Sequence, residues 1–149
     1  MRLDNGSEWA SNILPSILIR EGRIEEARTA ARGMSQDPIW HGKLLQACLE
    51  NPTGIRKVAQ QDWAALDRQR DPEMKYWQAS ILAFCDQKQM ALQLLRSAIA
   101  NNYCAVSALK SDPLWVKIRN SPEFVEVQSE AAECQKNFLA ERKSGSGSP

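Results

Sequence analysis

The chain has 149 residues, of which 43% are hydrophobic and 25% are charged, which is typical of one globular domain. Nineteen basic and eighteen acidic side chains give a net charge of +1. Because the two signs are interleaved, the sequence predicts no nucleic-acid surface. No apolar run approaches the roughly 18 residues of a membrane span, and no secretion-signal pattern opens the sequence. We therefore expect no membrane segment within this chain.

Helix-start and helix-stop signals predict six helices before residue 101. Asp37-Pro38 and Asp71-Pro72 each open a helix, because Asp accepts a hydrogen bond from a free first-turn amide and Pro has no amide to leave unpaired. Glycines and an Asn-Pro pair mark the ends of other helices. The predicted helices span residues 8–20, 24–32, 38–50, 53–68, 72–85 and 88–100.

A repeat with a period of about 33 residues connects these helices. Ala27, Ala59 and Ala91 recur at equal spacing, and the two Asp-Pro pairs follow nearly the same spacing. No window of comparable length shows the alternation typical of strands. We predict an all-α chain with three units at about 8–36, 37–70 and 71–104.

After the third unit, residues 105–143 are predicted to cap the repeat. Asp112-Pro113 indicates a short helix, and Ser121-Pro122 indicates the start of a long final helix. The final helix carries an apolar stripe at spacings of three and four, formed by Phe124, Val127, Ala131, Cys134 and Phe138. We expect this stripe to face the repeat. Residues 144–149, SGSGSP, are predicted to be a flexible linker or a tag remnant.

The repeat resembles the tetratricopeptide repeat (TPR). Units two and three place a small residue in the first helix and then Ala, a bulky residue and an apolar residue at spacings of 12, 4 and 3, and unit one follows the same frame in part. The segments EGRIEEAR (21–28) and DQKQMALQLLRSAI (86–99) are similar to the turn and second helix of such a unit. Pro15 departs from the pattern and is expected to kink or delay the first helix. The resemblance implies a TPR-like right-handed superhelix of about three helix pairs, followed by a short helix and a long C-terminal capping helix.

The resemblance also implies a concave groove lined by the first helix of each unit. Aromatic and Arg side chains in such a groove are typical anchors for a bound peptide. The candidate binding residues are those that would face the groove: Trp9, Asn12, Arg20, His41, Glu73 and Tyr76.

The C-terminal segment is similar to the helical tails of bacterial receptor-type Ser/Thr kinases and winged-helix regulators. The resemblance is carried by Asp112, Pro113, Arg119, Pro122 and Phe124, in the pattern DP-x-x-x-x-x-R-x-x-P-x-F. Neither the kinase nor the winged-helix signature occurs, so no catalytic residue is carried over. A cytoplasmic location is the default expectation, and an extracytoplasmic one follows if the chain belongs to a receptor-type kinase.

The sequence predicts no catalytic, metal or cofactor site. His41 is the single histidine, and the four cysteines are too far apart for the close pairs that zinc sites use. Cys48 and Cys85 are expected to act as small hydrophobic residues. A final helix that packs back over unit three would bring Cys134 near Cys104. Whether these two form a disulfide or remain buried thiols stays open, with thiols slightly favoured.

These features favour a non-catalytic protein-interaction module, a regulatory part of a larger bacterial signalling protein. The alternative is a sensor that binds a small ligand or peptide in the groove. Because no predicted element covers the N-terminal end of the repeat, a homodimer through that end is also expected.

Overall fold

The computed structural model describes residues 4–146, with side chains from 7 to 144, and all regular structure in that range is helical. The all-α prediction is confirmed. The α-helices are α1 (Asp4–Arg20), α2 (Ile24–Ala31), α3 (Gly42–Glu50), α4 (Ile55–Asp67), α5 (Pro72–Phe84), α6 (Lys88–Ala100), α7 (Val106–Ser111) and α8 (Pro122–Ser146). Three 3₁₀ turns precede α3, α4 and α8: Pro38–Trp40, Pro52–Gly54 and Pro113–Trp115. None of these described helices is long and apolar enough to cross a membrane.

The Asp-Pro pairs act as the sequence predicts, but only one of them opens an α-helix directly. The side chain of Asp71 accepts from the amides at the start of α5, and Asp37 and Asp112 cap 3₁₀ turns in the same way. The predicted helix 38–50 is divided at His41, whose φ of 60° is left-handed. The next position requires glycine, because a Cβ at Gly42 would overlap the backbone oxygen of Ser35.

Three further boundaries differ from the prediction. Helix α1 continues through Pro15, so this proline does not delay the helix. Helix α7 was not predicted, since its six residues are too few to show a period. Helix α8 ends at Ser146, so the first three residues of the segment predicted as a linker are helical.

The helices pack as three consecutive hairpins, α1 with α2, α3 with α4 and α5 with α6. Helix α2 also contacts α3, and α4 contacts α5, so each hairpin touches the next. The repeated alanines Ala27, Ala59 and Ala91 are fully buried in the second helices. A methyl side chain at these positions lets neighbouring helices approach closely.

The C-terminal segment covers one end of this stack. Trp115, Phe124, Val127 and Ala131 are fully buried, and α8 contacts α6 and α7. The predicted stripe stops short of its last member, because Phe138 is 46% exposed on the part of α8 beyond the stack. At the other end Leu14 and Ile17 of α1 are exposed. The predicted homodimer through that end stays a prediction.

Two disulfides join segments that are distant in sequence. Cys104, after α6, is bonded to Cys134 of α8, with their Cα atoms 5.5 Å apart. Cys48 of α3 is bonded to Cys85 at the end of α5, with a Cα–Cα distance of 5.4 Å. The expectation that Cys48 and Cys85 are unpaired hydrophobic residues therefore has to be corrected. Among the described residues no cysteine is free.

Candidate binding site

Two predicted groove residues, Arg20 and Tyr76, meet at a largely buried carboxylate. Arg20 donates from Nε and Nη2 to the two oxygens of Asp112, each at 3.0 Å, and the Tyr76 hydroxyl donates to Asp112 Oδ2 at 2.9 Å. The Trp115 indole donates to the Tyr76 hydroxyl at 3.0 Å. Burial, and then the negative charge of Asp112, raise the pKa of Tyr76, so its hydroxyl keeps its proton. This cluster joins α1 and α5 to the C-terminal cap.

Asn12 and His41 are also turned inward, with exposures of 1% and 0%. Asn12 Oδ1 accepts from the Ser35 amide at 2.7 Å, and Asn12 Nδ2 donates to the Glu8 carbonyl oxygen at 2.9 Å. Asn12 therefore ties the segment after α2 to α1, and its burial keeps it out of reach of a ligand in a groove.

The first helices of units one and three touch each other, which closes the predicted groove between them. The Trp77 indole donates to Ser16 Oγ at 3.3 Å, and Arg20 Nη2 donates to Ser80 Oγ at 3.4 Å. The prediction of an open groove therefore has to be corrected for four of the six candidate residues: Asn12, Arg20, His41 and Tyr76.

The other two candidates, Trp9 and Glu73, are exposed and lie on one pocket. The pocket has a volume of about 260 Å³ and is open to solvent on one side. Its lining residues come from three separate segments: Trp9, Ile13, Trp40, Asp71, Glu73, Met74 and Trp77. Three tryptophans and two carboxylates thus surround a space large enough for one side chain.

Local helix geometry explains how each segment contributes to this tryptophan pocket. Trp9 and Ile13 are four residues apart on α1 and therefore share a face. Glu73 and Trp77 have the same relation on α5. Trp40 ends the 3₁₀ turn that precedes α3 and packs edge-to-face on Trp77, with ring centroids 6.2 Å apart.

Partly buried hydrogen bonds hold the three segments in place. The Gln78 side chain donates to the Ile39 carbonyl oxygen at 2.9 Å, which fixes the 3₁₀ turn on α5. The bond from Trp77 to Ser16 fixes α5 on α1, and the bond from Ser35 to Asn12 fixes the segment before the 3₁₀ turn on α1. Asn12, which the groove prediction singled out, therefore supports the pocket walls together with Ser16 and Gln78. These three residues do not line the pocket themselves.

Sequence reasoning missed five pocket residues: Ile13, Trp40, Asp71, Met74 and Trp77. The signal for Trp77 was its spacing of four from Glu73, which puts both on one face of a first helix. Trp40 had no such signal, since its position depends on the break at His41.

His41 lies directly behind this pocket. The centroids of the His41 and Trp77 rings are 6.2 Å apart. Both ring nitrogens lack a hydrogen-bond partner among the described residues, and burial lowers the pKa of His41 to about 3. The unfolded chain would have the ordinary His pKa of about 6.5. Below that pH the unfolded chain binds a proton that the folded chain does not, so stability is lost as pH falls toward 3.

Because of His41, we expect the wild type to lose about 2 to 3 kcal/mol of unfolding free energy when the pH falls from 7.5 to 4.5. His41→Asn removes the titrating ring and keeps a residue that tolerates positive φ. Urea unfolding at both pH values measures the loss in each protein. The variant should lose less than the wild type by that amount, and equal losses would show that His41 is not the cause.

Two other depressions are less suited to binding. A broader one of about 540 Å³ lies between α1 and α2, where Arg23 and Glu26 already pair with each other. The other, of about 290 Å³, lies between α7 and α8 and has no aromatic lining residue. The described residues contain no group of three metal-ligating side chains.

Comparisons of this chain with protein-family models, with curated proteins and with solved structures give no significant match. The TPR resemblance therefore rests on the sequence pattern.

Proposed function

We propose that this chain is a non-catalytic protein-interaction module that binds a peptide segment of a partner at the tryptophan pocket. The observation that carries the proposal is the exposure of Trp9. Its side chain is 53% exposed, although Trp40 and Trp77 in the same pocket are partly buried. Exposed tryptophan next to a preformed aromatic pocket is typical of binding hot spots. The supporting hydrogen bonds reduce the ordering that binding would require.

The pocket size favours a side chain of a peptide over a whole small ligand. Pockets that enclose small molecules usually hold about 300–1,000 Å³ and bury most of the ligand. The tryptophan pocket has about 260 Å³ and is open on one side. A sensor for a small ligand would need a deeper cavity, so the size of the tryptophan pocket favours peptide binding.

We further propose a TPR-like right-handed superhelix and a role as a regulatory part of a larger bacterial signalling protein. Successive contacts between the three hairpins support the first proposal. The tail pattern of the C-terminal segment supports the second. Disulfides form and persist mainly in oxidising compartments. The two disulfides of this chain therefore favour an extracytoplasmic position for it.

A peptide selected from a random library on the full chain provides the test. We expect Trp9→Ala to weaken its binding about 30-fold in isothermal titration calorimetry, because truncating a hot-spot tryptophan typically costs 2 kcal/mol or more. Val116 is 59% exposed and lies outside the pocket, so Val116→Ala serves as the control and should bind normally. Unchanged binding by Trp9→Ala would place the site elsewhere.

A further inference from the structure

The charges at the tryptophan pocket all have one sign. Asp71 and Glu73 are exposed acidic residues at its rim, and no basic residue is among the described residues that line it. Within the part of the chain that the structure describes, neither carboxylate makes an ion pair. Among the described residues, no cation pairs with the two carboxylates of the pocket.

The start of α5 does not reverse this charge. A helix N-terminus attracts anions through its free amides, but here Asp71 Oδ1 already accepts from the Glu73 amide at 2.9 Å and the Met74 amide at 3.4 Å. The Glu73 carboxylate makes no hydrogen bond or ion pair with another residue in the part of the chain that the structure describes. The pKa of nearby Tyr103 is raised by burial and then by the charges of Glu73 and Asp71, so their negative field reaches beyond the pocket.

The aromatic walls suit the same kind of ligand. Trp40 and Trp77 have ring planes 79° apart, so their indoles differ in orientation, and Trp9 adds a third indole to the pocket lining. Indole faces attract cations through the ring quadrupole, and tryptophan is the strongest of the aromatic residues in this respect. An acidic side chain would be repelled by both carboxylates, and an aliphatic one would leave them unused.

We propose that the tryptophan pocket binds the basic side chain of a Lys or Arg in the partner peptide. The aliphatic stem would pack on the indoles, and the charged group would reach Glu73 and Asp71 at the rim. This inference rests on the proposed binding role of the same pocket and adds the chemical class of the anchoring residue.

The test titrates the ¹⁵N-labelled full chain with four peptides, acetyl-Gly-Ser-X-Ser-Gly-amide with X as Lys, Arg, Leu or Glu. The readout is the five indole N–H signals, of which Trp9, Trp40 and Trp77 report on the pocket and Trp63 and Trp115 do not line it. We expect the first three to shift, with the Lys or Arg peptide binding about tenfold more tightly than the Leu peptide.

A matched pair of variants separates charge from packing. Glu73→Gln should reduce the affinity for the basic peptide about threefold and leave the Leu peptide unchanged. Glu141→Gln makes the same change of net charge near the end of α8, outside the pocket lining, and should bind like the wild type.

The outcomes are distinguishable. If the pocket indoles shift but the Leu or Glu peptide binds as tightly as the basic ones, the cation inference is overturned and the binding site stands. If no peptide shifts Trp9, Trp40 or Trp77, or if all five indoles shift alike, the pocket itself is overturned as a binding site, and the inference with it.

Discussion

Removing the disulfides is expected to cost about 3 to 4 kcal/mol of unfolding free energy for each bond, because each closes a long loop in the unfolded chain. The bonded cysteines are 37 residues apart in Cys48–Cys85 and 30 apart in Cys104–Cys134. Two losses of this size would approach the whole stability of a domain of this kind, about 5 to 15 kcal/mol. Urea unfolding of each double Cys→Ala variant, compared with the wild type, measures the two contributions separately.

Alkylation provides the direct control for this prediction. The unreduced chain, unfolded in urea and treated with iodoacetamide, should gain no label by mass spectrometry, whereas the reduced chain should gain four. Four labels without reductant would mean that the chain folds with free thiols. Two labels without reductant would mean that only one of the two disulfides forms.

Replacing Asp112 is expected to cause the largest loss from any single charge. Asp112→Asn keeps the side-chain size but leaves the Arg20 charge without its partner and weakens the bond from Tyr76. Removing one member of a buried ion pair usually costs about 3 to 5 kcal/mol. Because the Arg20 side chain is 25% exposed, we expect about 2 to 4 kcal/mol in urea unfolding with the disulfides intact.

Asp86→Asn is the matched control for this charge. Asp86 pairs with Lys117 at 3.2 Å, but its side chain is 69% exposed, so its loss should cost less than about 1 kcal/mol. Equal effects of the two substitutions would show that the Asp112 cluster does not hold the cap to α1.

The helices could be predicted because their signals are local. The cap at Asp71 and the Asp37 turn each depend on a few neighbouring residues, and the period of the buried alanines can be counted directly along the sequence. The division at His41 could not be predicted, since it depends on the close approach of Gly42 to Ser35. The closure of the groove depends on contacts such as Trp77 to Ser16, which join residues about 60 positions apart.

The candidate site was predictable only in part for the same reason. Trp9 and Glu73 were found because they lie on first helices, and the expected groove faced the same helices. The prediction of an open groove failed at Arg20 and Tyr76 because both pair with Asp112, which is distant from them in sequence. It failed at Asn12 and His41 because the fold buries them. Cys48 and Cys85 were missed because their pairing requires α3 and the end of α5 to meet, which no local pattern indicates.

The central claim is that a partner peptide binds between α1 and the start of α5. Intermolecular nuclear Overhauser effects between the library-selected peptide and the unlabelled side chains of the full chain locate the contact directly. We predict effects to the ring protons of Trp9, Trp40 and Trp77. Effects confined to the depression between α7 and α8, or to Leu14 and Ile17 on the outer face of α1, would contradict the claim.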